Sequence, residues 1–169
     1  MIHIYTGDGK GKTTAAMGLA MRAAGCGKRV LVTQFLKGGP TGELQSLHRL
    51  GIPVLRNRTD HGFFATLSEA EKQDLTQEQN DRLNAVLQSV LREEFDLIVL
   101  DELLCACSNG SADCGLAERI LNTKTKTELV LTGRNAPPFF VLRADYITVM
   151  QKEKHPYDRG IPAREGIEY

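Results

Sequence analysis

The chain has 169 residues, 41% of them apolar and 25% charged, the length and balance of one ordinary folded domain with room for a real core. Lys plus Arg equals Asp plus Glu at 21 each, which argues against a nucleic-acid binder, since those carry a basic excess or stripe. No apolar run approaches the roughly 20 residues that span a bilayer, and MIHIYTGDGK is too short in its apolar part for a secretory signal, so a cytoplasmic protein is expected.

In chain order, Ile2–Tyr5 reads as a short strand that runs straight into TGDGKGKTTAA, residues 6–16. A phosphate loop of the common form has Gly, four free residues, then Gly-Lys-Ser/Thr. Counting back from Gly11-Lys12-Thr13, Thr6 stands where the first glycine belongs, and Gly7 comes one residue late. The loop still has the parts that hold an anion. Gly7, Gly9 and Gly11 let backbone N–H groups come close to a phosphate, Lys10 and Lys12 add positive charge, and the next helix adds its dipole. Thr13 is placed to offer a hydroxyl to a phosphate-bound Mg²⁺. The stretch from Thr6 through Asp8 to Thr14 is therefore expected to bind a nucleoside triphosphate.

Residues 13–24, rich in Ala, Leu and Met, predict a helix that ends near Gly25 and Gly27. The apolar run 29–35 predicts a strand, 43–50 a short helix, and 52–55 a further strand with Pro53 near its start. A polar loop, RNRTDHGFFATL, leads to a long helix opened by a capping box at Ser68 and Glu71. Its apolar positions 75, 83, 86, 87, 90 and 91 form a face for the core. Residues 95–101 predict a buried strand that ends in Asp101-Glu102, and Ser111 is expected to cap a helix that runs to Asn122. Residues 128–132 and 146–150 supply two more strands.

Strands alternating with helices imply parallel pairing with helices on both faces, and continuous apolar runs such as LIVL are what such buried strands require. There is no repeat or linker, so residues 1–169 are read as one domain. Ligands of such sheets sit at the carboxyl ends of the strands, here after Tyr5, Phe35, Leu55, Leu100, Thr132 and Met150. Asp101-Glu102 at one of those ends provides hard oxygen donors for Mg²⁺ opposite the phosphate loop. Thr13 and Glu102 are the expected ligands, with Asp101 in a supporting role. Arg134, after the strand 128–132, either reaches phosphate or adenosine or forms a surface ion pair; Arg22 is a weaker candidate for the site. Cys105, Cys107 and Cys114 match no common zinc spacing and are read, with Cys26, as reduced thiols packed in or near a helix. These residues define a P-loop nucleotide protein but leave open adenosyl transfer, a small-molecule kinase or ATPase, and an ATP-dependent binding module.

TGDGKGKTTAA, VLDEL, LTGRNAP and the tail KEKHPYDRGIPAREGIEY (152–169) together closely resemble the ATP:corrinoid adenosyltransferases of the P-loop, RecA-like type, over essentially the whole chain. The resemblance implies a three-layer P-loop NTPase-like α/β fold. It also implies transfer of the 5′-deoxyadenosyl group of ATP to the Co(I) of a reduced corrinoid, with tripolyphosphate as leaving group. Mg²⁺, a flavoprotein reductant and a homodimer are further expectations. Lys12, Thr13 and Glu102 are the expected catalytic residues. Phe63 and Phe64 of HGFFATL are expected at the lower face of the corrin, and His155, Tyr157 and Asp158 are expected to complete a pocket. Better-known members carry a tryptophan two positions beyond the corrin-facing phenylalanine, where this chain has Ala65. Longer members carry a segment before the first strand that helps cover the corrin; this sequence begins at the strand, so the site is expected to be either more open or closed by another element.

Overall fold

The computed structural model describes residues 1–169. Six strands form one sheet: β1 (Ile2–Thr6), β2 (Val30–Gln34), β3 (Val54–Leu55), β4 (Leu97–Asp101), β5 (Glu128–Thr132) and β6 (Tyr146–Val149). Their order is β3-β2-β4-β5-β1-β6 and every pairing is parallel. Six helices complete the chain: α1 (Lys12–Gly25), α2 (Glu43–Arg49), α3 (Glu69–Leu91), α4 (Leu103–Ser108), α5 (Cys114–Asn122) and α6 (Pro138–Arg143).

The period of two in each central strand creates the layers. Val30 and Val32 of β2, Val99 of β4 and Val130 of β5 face Ala16, Met17 and Ala20 of α1 and Leu47 of α2. The alternate residues Leu31, Ile98, Leu100, Leu129 and Leu131 face α3, α5 and α6 through Leu83, Val86, Ile120 and Phe140. Each such side chain, taken out of water on a strand buried on both faces, contributes about 1.5–3 kcal/mol. The result is the three-layer P-loop NTPase-like fold, with its sheet wholly parallel.

The capping box at the start of α3 is present in both halves, Ser68 accepting from the Glu71 N–H and Glu71 accepting from the Ser68 N–H. Three local expectations need correction. Ser111 does not cap α5; it is buried, its carbonyl accepts from the Gln79 amide at 2.9 Å, and Asp113 caps the helix instead. Leu91 is 57% exposed because Leu87 and Val90 already fill the core at that turn. The strand at 52–55 shrinks to two residues, since Pro53 has no N–H to donate and the Ile52 N–H turns back to Leu47. The short helices α4 and α6 are not anticipated by the sequence pattern.

Candidate active site

The carboxyl ends of β1, β2, β4 and β5 converge on the start of α1. Thr6 is the last residue of β1, and its carbonyl accepts from the Met150 N–H at 2.8 Å. The end of β6 therefore continues alongside the phosphate loop, with the Gly9 N–H donating to the Met150 carbonyl at 2.7 Å. This contact explains the loop's glycines. A Cβ on Gly7 would lie 2.4 Å from the Met150 carbonyl oxygen, and one on Gly9 2.6 Å from that of Gln151. Gly7 also holds φ +99°, a conformation that a side chain disfavours.

Lys12 is buried and folds back over the loop, donating to the carbonyls of Gly7 at 2.7 Å and Gly9 at 2.8 Å. Burial, then repulsion from Arg134, lowers its ammonium below the usual lysine range, while Glu102 and Asp8 act in the opposite direction. Thr14 is exposed. Lys10 points away from the loop, and its ammonium meets the Ile167 carbonyl and Glu168.

Asp101, fully buried at the end of β4, is the hub that the sequence placed in a supporting role. Its Oδ1 accepts from Thr13 Oγ1 at 2.9 Å and from Thr132 Oγ1 at 2.7 Å. Its Oδ2 accepts from Lys37 Nζ at 2.8 Å and from the Gln34 amide at 3.4 Å. Burial alone would lower the Lys37 ammonium, but the Asp101 carboxylate outweighs it and raises the pKa. Glu102 sits at φ +63°, its N–H donating to Thr132 Oγ1 at 2.9 Å, so the turn after β4 is pinned in a left-handed conformation that directs the two acids differently. The Cys105 thiol is pushed up to about 11, first by burial and then by the Glu102 carboxylate. Arg134 is exposed, with its backbone N–H on Cys105 Sγ at 3.0 Å.

Mg²⁺ fits this donor set. Thr13 and Glu102 offer hard oxygens, while both oxygens of Asp101 are already taken by Thr13, Thr132, Lys37 and Gln34, so Asp101 can act only by orienting Thr13. An ion that keeps water and phosphate oxygens needs no more than one or two carboxylates.

A cleft of about 920 Å³ opens beside the loop, lined by Thr13, Thr14, Met17, the segment 36–43 and the last four residues of the chain. Asp60 also lines it, three residues before Phe63. Phe63 is 85% exposed at the start of a 3-10 turn, whereas Phe64 is half-buried. The structure does not bring His155, Tyr157 and Asp158 to this cleft: the Tyr157 N–H donates to His155 Nδ1, Tyr157 is exposed, and Asp158 pairs with Lys152. Sequence reasoning missed Lys37 and the residues Gly166–Tyr169. Lys37 was within reach, because it lies two residues beyond Phe35, a strand end already marked as crevice lining.

The four cysteines are free thiols. No helix is long and apolar enough to cross a membrane.

Comparison with known proteins gives the family of the chain. The family model for ATP:corrinoid adenosyltransferase BtuR/CobO/CobP matches residues 1–169. The chain is similar to the corrinoid adenosyltransferase of Pseudomonas aeruginosa, 33% identical over 98% of this chain and 82% of that protein. It is similar also to the corrinoid adenosyltransferases of Escherichia coli, 32% identical over 100% of this chain and 85% of that one, and of a Sinorhizobium species, 32% identical over 100% and 80%.

Proposed function

The chain belongs to the ATP:corrinoid adenosyltransferases, and from that premise we propose how its residues divide the reaction between them. It is a transferase that moves the adenosyl group of ATP to a corrinoid. The single observation that carries the assignment of residues is the hydrogen bond from Thr13 to the buried Asp101, which locks the phosphate loop to the acidic strand end.

The nucleophile is the Co(I) of the reduced corrinoid, and its electron pair attacks C5′ of the ATP ribose. The Co–C bond forms as the C5′–O bond breaks, cobalt becoming formally Co(III). The departing electron pair stays on the oxygen of tripolyphosphate. No proton moves in this step, so no general base is needed. What the protein supplies is positioning and charge. The loop from Thr6 to Thr14 holds the three phosphates as one anion: it offers the backbone N–H groups of Gly7, Asp8 and Gly11, that of Gly9 being taken by the Met150 carbonyl, and Lys12 can exchange its two loop carbonyls for phosphate oxygens. Lys10 adds positive charge while its ammonium holds the C-terminal turn, and Arg134 stands at the exposed margin. Thr13 and Glu102 would hold Mg²⁺, with Asp101 orienting Thr13; the ion would supply charge neutralisation on the leaving group.

Phe63 presents an exposed aromatic face that suits the lower side of a corrin from which the axial ligand has left. Phe64, half-buried, is the neighbouring aromatic of the same loop. A flavoprotein reductant, a homodimeric assembly and a cytoplasmic location complete the reading.

The test is an anaerobic incubation with chemically reduced cobalamin and Mg-ATP, followed by the corrin spectrum. A photolabile adenosylcorrinoid supports the reading; Co(I) that persists while ADP accumulates contradicts it and favours a kinase or ATPase.

A further inference from the structure

Lys10 Nζ donates to the Ile167 carbonyl at 2.6 Å and to Glu168 Oε1 at 3.3 Å, contacts 157 and 158 residues apart in sequence. The same carboxylate takes the Arg164 N–H at 2.9 Å and the Arg164 guanidinium at 3.1 Å on each oxygen. The turn is closed on itself by the Glu168 N–H on the Arg164 carbonyl at 2.9 Å and the Gly166 N–H on that of Tyr169 at 2.7 Å. Arg164, and after it Lys10, holds the Glu168 carboxyl down at about 2, so the link is ionised throughout the physiological range. These contacts seat Gly166–Tyr169 in the cleft beside Thr13 and Thr14.

The lining of the cleft shows what it takes. Of its ionisable side chains, Lys37 is paired with Asp101 and Glu168 with Lys10 and Arg164, which leaves the carboxylates of Glu43 and Asp60. A tetra-anionic triphosphate is repelled by such a wall and stays on the loop, whereas neutral N–H donors are accepted by it. The rim of a corrin ring carries primary amide side chains, which are donors of this kind, and the exposed Met21 and Ile167 offer apolar surface to the ring edge. The volume, about 920 Å³, is at the upper end of the roughly 300–1,000 Å³ of small-molecule pockets. The cleft also shares a wall with the Phe63 loop, because Gly38 packs so closely on Thr59 that a Cβ would lie 1.8 Å from its carbonyl oxygen.

Building on the adenosyltransferase reading, we infer that the C-terminal turn Arg164–Tyr169 is the wall that binds the amide-bearing rim of the corrinoid, and that Glu168 is a positioning residue that seats this wall through Lys10 and Arg164. The cleft is then a corrinoid subsite that adjoins the triphosphate seat at Thr13 and Thr14.

The experiment measures corrinoid KM and kcat on the intact enzyme with Mg-ATP and reduced cobalamin, and ATP affinity by calorimetry without corrinoid. Glu168→Gln raises corrinoid KM about tenfold and leaves ATP affinity within twofold. Lys10→Met raises corrinoid KM similarly, the double variant is no worse than either single one because they cut one link, and Lys10→Arg recovers most of the loss. Removal of residues 166–169, checked for folding by circular dichroism, raises corrinoid KM at least as much. Unchanged corrinoid KM in both Glu168→Gln and the truncation overturns the inference, as does a loss of ATP affinity that accounts for the whole effect. A wild-type chain that forms no adenosylcorrinoid overturns the functional reading itself, a result distinct from the other two.

Discussion

Replacing Asp101 by Asn tests the hub of the site without changing its shape. The carboxylate is fully buried, with Thr13 and Thr132 on one oxygen and Lys37 and Gln34 on the other. In Asp101→Asn the amide oxygen can keep the two hydroxyls, but the NH₂ group then faces an ammonium and another amide NH₂. Removing one member of a buried ion pair costs about 3–5 kcal/mol. Lys37 keeps 27% of its side chain in water, so part of that is recovered by hydration and about 3 kcal/mol is expected. Against a total of about 5–15 kcal/mol this is a large fraction. With an m value of about 2 kcal/mol per M, the urea midpoint falls by about 1.5 M. Adding Lys37→Met removes the stranded cation and restores at least about 1 kcal/mol of this. The pH dependence has a definite sign. The folded pKa of Lys37 is raised, so its contribution is complete below the ordinary 10.5 and is lost as pH rises through the higher folded value. Wild type therefore loses stability above pH 10.5 that Lys37→Met does not. A cost for Asp101→Asn below about 1 kcal/mol, or a Lys37→Met change that simply adds to it, would refute this account of the buried hub.

Three further outcomes follow from the same geometry. Gly7→Ala combines a φ of +99° with a 2.4 Å approach to the Met150 carbonyl, so a loss of about 2–4 kcal/mol is expected, seen as a melting temperature lower by about 6–12 °C and ATP affinity weakened at least tenfold. Glu102→Gly relieves the left-handed backbone at φ +63°, so it should be about 1 kcal/mol more stable than Glu102→Ala in urea while both lose adenosyl transfer. Brief iodoacetamide treatment at pH 8 should label the exposed Cys26 first, because burial raises the Cys105, Cys107 and Cys114 thiols; peptide mass spectrometry reads the order, and early labelling of Cys107 would contradict it.

Short-range chemistry was legible in the sequence. The first strand, the glycine loop and α1 form one continuous signal, and the capping box at Ser68 and Glu71 marks the start of α3 to the residue. The apolar runs at 97–100 and 128–132 are long enough to be called strands buried on both sides. The helices α4 and α6 were not legible because six residues cannot show a helical period, and α6 opens on Pro138 inside a Pro-Pro pair that reads as a loop. Long-range partners were also hidden. Nothing local distinguishes Lys10, which grips the tail, from Lys12, which folds over the loop; only the folded chain brings Glu168 to one and the Gly7 carbonyl to the other. For the same reason the tail was read through His155, Tyr157 and Asp158, the residues with recognisable chemistry, while the cleft is lined by its last four residues.

The central claim is that the phosphate loop retains tripolyphosphate as a leaving group while cobalt takes the adenosyl carbon. Phosphorus-31 NMR of an anaerobic reaction with reduced cobalamin and Mg-ATP, quantified against the adenosylcorrinoid formed, tests it most directly. The account predicts tripolyphosphate in a one-to-one ratio with adenosylcorrinoid and no ADP; ADP and orthophosphate produced at a rate independent of the corrinoid would contradict it.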